Sequence, residues 1–363
     1  MDFSFSAEQD ALRDAVRALV AAEAAAGRVR AMVEGDDAAI ATLWQTMRDL
    51  GWPALLVPEA HGGMGLGLVD AVVVLEELGR VTLPGPFLSS AVGATTAARR
   101  LDADELLPDL AAGVTTGTIA LEELGHGDPV ERVRTRATRH GARWLLHGLK
   151  PVVLDGATAD WVLVAARTPE GLQSFLIEQP TMEDVPTLDP TRRVARLHLD
   201  GTPARPVGPV GDHSARWRAI DDVLAIGLAA ELVGVGDAAL AAAVDHTGTR
   251  VQFGVPLSSH QVVQHKLVDM LHPLELGRVG VHHAAWATDV GADDAATSAA
   301  IAKATMGEAA VHITAEAIQL HGAIGFTWDA DVQLLYKRTK QNEVLAGSSA
   351  WHRRRVADAV LNG

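Results

Sequence analysis

The chain contains no cysteine, which removes disulfides, thiolate metal sites and cysteine nucleophiles together and fits a reducing compartment. No stretch approaches the roughly 18 uninterrupted apolar residues of a membrane span, and residues 1–6 offer neither the basic nor the apolar region of an export signal. A cytoplasmic protein is expected. Positive charge is also in deficit: 31 Lys and Arg against 46 Asp and Glu leave a net charge of -15. Nucleic acid, whose binding is driven by cations neutralising phosphates, is therefore not an expected partner. Local clusters such as Lys337-Arg338 and Arg353-Arg354-Arg355 still allow a phosphorylated small ligand, because a site responds to nearby charge. Short repeats and low-complexity tails are missing too. What is present is 363 residues with 48% hydrophobic content, enough for two or three packed units around a large core.

The apolar spacing changes twice along the chain. Ser6 followed by Gln9 reads as a capping box, and Leu12, Val16, Leu19 and Val20 recur at helical spacing behind it. Ile40, Leu43, Trp44 and Met47 predict a second helix that stops at Gly51, and a third runs from Val69 to Gly79 beyond a glycine-rich loop. Between about 116 and 212 the period becomes two. Val133, Thr135 and Ala137 alternate with arginines, and Trp161 to Val164, Phe175 to Ile177 and Leu197 to Leu199 are short apolar runs, predicting a small sheet domain. The Pro- and Gly-rich stretch from Gly201 to Gly211 reads as a linker. From Ser214 the chain is helical again, with Trp217, Ile220, Leu224, Leu228 and Val235 on one stripe, and breaks near 247–248, 322–325 and 347–348 divide it into four or five long helices. The expected class is α+β, with a helical domain (1–115), a β-barrel or sandwich domain (116–212) and a C-terminal helical bundle (213–363) whose exposed apolar area suits subunit contact.

One string joins a helix end to the next helix start: Arg250, Gln252, Phe253, Gly254 and Pro256, followed by His260 and Gln261. A guanidinium fixed at such a turn can pair with a diphosphate through planar, charge-assisted hydrogen bonds, and Phe253 can cover an adenine or ribose. The string resembles the Arg-x-Gln-Phe-Gly turn of the acyl-CoA dehydrogenase family, and the resemblance runs over essentially the full chain. Leu50-Gly51-Trp52-Pro53, Gly62-Gly63 and Leu75 to Gly79 match in the N-terminal part. Gln319, Gly322, Ala323 and Gly325 match the family's Gln-x-x-Gly-Gly-x-Gly loop, with Ala323 in place of the second glycine and less room for close backbone approach. The resemblance implies FAD as cofactor, an oligomer in which the Arg turn and the Gln loop reach FAD across a subunit interface, an acyl-CoA substrate, and an electron-transfer flavoprotein as the usual re-oxidant. It carries over Arg250, Gln252, Phe253, His260, Gln261, Gln319 and Gly322 as cofactor contacts.

The family's chemistry removes the α-proton of an acyl-CoA thioester and passes a β-hydride to the flavin, which requires a positioned carboxylate base. The usual Glu of a Tyr-Glu-Gly-Thr segment corresponds here to Ala346, between Leu345 and Gly347. Members that carry the Glu on the first bundle helix place it about seven turns before the Arg, which is Leu224 here. Glu231, two turns after Leu224, and Glu343, three residues before Ala346, are the nearest substitutes. The flavin-facing hydroxyl segment corresponds to Leu121 to Gly127, and the segment bearing an indole and a hydroxyl corresponds to Val152-Val153-Leu154. The grip on the adenylate half is thus kept, while the chain's own flavin and substrate pocket has lost its chemistry.

That split resembles the non-base subunit of actinobacterial heteromeric (α2β2) steroid acyl-CoA dehydrogenases. The expectation is a subunit supplying Arg250 and Gln319 in trans, with an unlike subunit bringing the base, for desaturation of a steroid side-chain or other bulky acyl-CoA. Two alternatives stay open: a homo-oligomeric dehydrogenase using Glu231 or Glu343 as a relocated base, and a non-catalytic paralogue that binds acyl-CoA or stabilises another complex.

Overall fold

The computed structural model describes residues 6–25, 27–141 and 143–362; the export-signal expectation for the extreme N-terminus lies almost wholly outside them. Helices α1 (Ala7–Ala25), α2 (Arg28–Val33), α3 (Asp37–Asp49), α4 (Leu68–Arg80), α5 (Thr95–Arg100) and α6 (Leu107–Ala111) come first, with a π-helical turn at Phe87–Ala94. Strands β1 (Gly117–Ala120), β2 (Arg136–His140), β3 (Arg143–Leu154), β4 (Trp161–Thr168), β5 (Gly171–Glu178), β6 (Glu183–Asp184) and β7 (Val194–Val207) follow, interrupted by the short α7 (Pro129–Arg132). Then come α8 (Ser214–Thr249), the hairpin strands β8 (Val251–Gln252) and β9 (Val255–Pro256), α9 (Gln261–Asp289), α10 (Ala295–His321), α11 (Val332–Val344) and α12 (Ser349–Asn362). The helical, β, helical order is the expected one.

Several local signals act as their chemistry dictates. Ser6 and Gln9 form the reciprocal box: the Ser6 N–H donates to Gln9 Oε1 at 3.0 Å and the Gln9 N–H to Ser6 Oγ at 3.2 Å. Leu50 closes α3 and Gly51 turns the chain at φ 77. Two readings are corrected. The alternation at 133–137 is a strand only from Arg136 onward, because the Glu123 carboxylate takes the N–H groups of Arg134 (2.7 Å) and Thr135 (3.0 Å) that a neighbouring strand would otherwise bind. The predicted linker at 201–211 is mostly strand: β7 runs to Val207, and Pro203 and Pro206 stand opposite Leu145 and Phe175. Gly201, at φ 65, and the register shift near it absorb the irregularity.

Contacts divide the chain into two compact units that do not follow its linear order. One comprises residues 35–71 and 84–224. In it the strand path β1-β4-β2-β3-β7-β5 returns from β5 to β4 and so closes into a barrel. Val162, Val164 and Ala166 of β4 face the barrel core with Phe175 and Leu197, while Trp161, Leu163 and Ala165 pack with Leu101, Leu107 and Trp217. Burial on both faces is why β4 reads as a continuous apolar run. The other unit comprises residues 1–34, 72–83 and 225–363. Here α4 and α8 touch backbone to backbone: a Cβ on Gly234 would overlap the Glu76 carbonyl, and one on Gly79 the Glu231 carbonyl. The helix α8 is long and apolar enough to cross a membrane by composition, and most of its apolar window is buried inside the protein, as in the core helix of a folded domain.

Candidate cofactor and catalytic sites

The Arg250 segment is a closed turn. Its N–H donates to the His246 carbonyl at 2.9 Å as α8 ends, and its carbonyl accepts from Leu257 at 2.9 Å, fastening the β8–β9 hairpin beneath it. Phe253 (φ 53) and Gly254 (φ 81) occupy the turn, both left-handed as a two-residue hairpin requires. Phe253 is 94% exposed, an aromatic ring almost wholly open to solvent. Among the described residues the exposed Arg250 guanidinium makes no ion pair, although acidic residues outnumber basic ones. His260 begins α9 with its ring edge-on to Phe253, centroids 6.3 Å apart, and its buried Nε2 has no hydrogen-bond partner. Gln252 and Gln261 are exposed on the same segment.

The second string ends α10. Gln319 is exposed, its carbonyl accepts from the Gly322 N–H, and Gly322 turns the chain at φ 66. Ala323 is exposed, whereas a Cβ at buried Gly325 would come within 2.8 Å of the Ile318 carbonyl. The two strings meet through residues the sequence reading did not single out: His246, one turn before Arg250, and His321, two residues after Gln319, stack with centroids 4.4 Å apart. Only the contact between distant segments reveals them. An exposed unpaired cation, an exposed aromatic ring, an orphaned imidazole nitrogen and a glycine-turned helix end fit the diphosphate and adenosine portions of FAD.

The two positions expected from the resemblance to carry the base, Ala346 and Leu224, bear side chains that cannot accept a proton. Ala346 is buried at φ 50, and its carbonyl accepts from His352 Nε2 at 2.8 Å. Fully buried Lys303 braces the same turn, donating to the carbonyls of Glu343 at 2.9 Å and Gly347 at 3.0 Å. Burial first, and then the Lys303 charge, push the His352 pKa down to about 3, so this ring is neutral. Leu224 is packed against the π-helical turn, 3.0 Å from where a Cβ on Gly93 would sit. Of the two substitutes, Glu231 is buried, accepts from Asn342 Nδ2 at 2.8 Å and lies 3.6 Å from the Arg338 guanidinium. Glu343 accepts from the Ser349 N–H at 3.0 Å, capping α12.

In the barrel unit, Glu122 is held by Arg132 at 2.8 Å. Glu123 is buried with Lys150 at 2.8 Å and the Thr135 hydroxyl at 2.7 Å. Burial, the largest single influence, would raise the Glu123 carboxyl, but the Lys150 charge and the hydrogen bonds from Lys150 and Thr135 together hold it below the usual range, while burial pulls Lys150 itself down to about 8. Val153 is buried in the barrel core, and Val152 and Leu154 are half-buried. Hydroxyl and indole are lacking along residues 152–154.

A helical, β-barrel, helical chain with this Arg turn and Gln loop defines an acyl-CoA dehydrogenase fold. The family's N-terminal domain matches residues 6–114 and its C-terminal domain residues 222–361, and the chain belongs to the acyl-CoA dehydrogenase family of FAD-binding oxidoreductases. It is similar to the acyl-CoA dehydrogenase IpdE2 of Mycolicibacterium smegmatis, 32% identical over 98% of this chain and 100% of that protein. IpdE2 of Mycobacterium tuberculosis is 33% identical, covering 97% of each. Among solved structures, the Tcur3481-Tcur3483 steroid ACAD G363A variant superimposes with a TM-score of 0.89 at 32% identity over 98% of both chains. The ChsE4-ChsE5 complex from Mycobacterium tuberculosis gives 0.90 at 27% identity over 100% of both.

Proposed function

We propose that this chain is the subunit of a heteromeric, cytoplasmic acyl-CoA dehydrogenase that grips the adenylate half of FAD for an active site whose base belongs to an unlike subunit. The observation that carries the reading is the coexistence, in one chain, of an exposed Arg250 that makes no ion pair among the described residues and an alanine, Ala346, at the position to which the resemblance assigns the base. Arg250 would pair with the diphosphate, Phe253 would cover the adenosine, and Gln252, His260, Gln261, Gln319 and the backbone at Gly322 and Ala323 would complete the contacts. Bound FAD supplies the hydride acceptor for α,β-desaturation of an acyl-CoA thioester. Two of the similar solved structures are described by paired chain names, one of them as a steroid ACAD, which favours an unlike partner and a bulky, steroid-like acyl group.

The experiment is purification of the chain alone and together with its genomic neighbour of the same family, reading flavin absorbance and acyl-CoA-driven bleaching. A yellow hetero-oligomer that bleaches, beside a colourless and inactive lone chain, is the expected result. An active flavin-loaded homo-oligomer of this chain alone would overturn the reading, and protein that gains neither FAD nor activity with any partner would assign it to a non-catalytic role.

A further inference from the structure

The stacked rings of His246 and His321 join the two cofactor strings. His246 lies in the last turn of α8 and His321 in the last turn of α10, so two helix C-termini, whose dipoles favour positive charge, converge on one imidazole pair. His321 Nδ1 lies 2.7 Å from the Ala317 carbonyl and must donate to it, which fixes that tautomer and leaves its Nε2 as an acceptor when the ring is neutral. Both rings are half-buried at a centroid distance of 4.4 Å and 22° between planes, too close for both to be charged without strong repulsion.

The charged groups acting on His246 are His321 from α10 and, from its own segment, Arg250 and Asp245. Burial, then the neighbouring His321, then Arg250 hold its pKa below the ordinary value, and Asp245 opposes them. Without an anion, its stacked neighbour and Arg250 thus disfavour a proton on His246. A diphosphate on Arg250 reverses that balance: it cancels the repulsion from the guanidinium and adds an attraction, while the helix ends already favour a proton there.

We propose that His246 and His321 are further members of the FAD diphosphate site, the stacked pair taking up one proton from solvent as the diphosphate binds. The pair locks the Arg250 turn to the Gln319 loop and adds a second positive charge only when an anion is present to use it. Binding and protonation are linked reciprocally, so FAD binds more tightly as pH falls through the bound-state value of the pair. FAD's diphosphate is a diester and stays fully ionised near neutrality, so such a pH dependence originates in the protein.

The inference rests on the proposed adenylate grip, and one experiment separates the two. FAD is stripped from the assembled enzyme and titrated back calorimetrically in two buffers of different ionisation enthalpy. At about pH 6 the wild-type assembly should take up a substantial fraction of a proton, and FAD should bind several-fold more tightly than at about pH 8, one unit of pKa shift setting a ceiling of about tenfold. His246→Tyr keeps a stacking ring without a titrating nitrogen in this range and should bind FAD with a flat profile and no uptake. His321→Phe tests the same from the other helix. Wild-type binding without proton uptake would overturn the proposal even if neither variant folds, as would uptake unchanged in a folded His246→Tyr. Arg250→Ala tells the two apart: undiminished FAD affinity would sink the adenylate grip itself, whereas lost affinity with no uptake in the wild type would sink only the histidine pair.

Discussion

A carboxylate acts as a base only where it is reachable and not already committed. Glu231 fails on both counts, buried against Arg338 and Asn342. In the assembled enzyme Glu231→Gln should leave acyl-CoA-driven bleaching intact and cost about 3 kcal/mol of stability, because Arg338 loses its buried counter-charge. Thermal melting and bleaching measured together check this, and bleaching abolished with melting unchanged would make Glu231 the base. Phe253 presents the opposite case, a large ring held in the left-handed region and almost wholly in solvent. Strain of about 1 kcal/mol at such a position persists where function requires it. Phe253→Gly should therefore stay within about 1 kcal/mol of the parent in stability, since relieved strain offsets added chain entropy, yet weaken FAD binding several-fold. Unchanged FAD affinity would remove Phe253 from the site.

Elements in contact set tighter limits than propensity does. At the crossing of α4 and α8, a methyl group on Gly234 has only the Glu76 carbonyl to occupy, whereas Gly248 on the same helix has open space around it. Gly234→Ala should cost about 2 kcal/mol or more by forcing the helices apart, and Gly248→Ala should stabilise by up to about 1 kcal/mol through helix propensity. Denaturant titration of the two variants gives the comparison, and equal effects would refute the close crossing. The same contrast explains what was legible beforehand. The capping box at Ser6, the α3 stop at Gly51 and the turn at Arg250 are written in neighbouring residues, so spacing finds them. The strand that never starts at Val133 and the linker that is strand at Pro203 depend on Glu123 and on β3, groups distant along the chain. The proposed site divides likewise: Arg250 and Gln319 are proposed from motifs, whereas His246 against His321 is a contact across more than seventy residues.

For the molecule as a whole, the proposal makes each flavin site a composite. An assembly with the complementary subunit should hold one FAD for every pair of unlike chains, measured by flavin absorbance against protein concentration. One FAD per chain would show that the barrel segment at residues 152–154 still houses a flavin ring. The exposed Val268, Leu276 and Val279 of α9 supply apolar surface for such an assembly. The turn around Ala346, the expected base position, is fastened from its main chain. Lys303 and His352 hold that turn through main-chain carbonyls, so these fastenings do not depend on the side chain at 346, which is buried in a left-handed position. Main-chain fastenings survive the exchange of one side chain for a smaller one, so a half-site can fall silent while the turn that carried it stays in place.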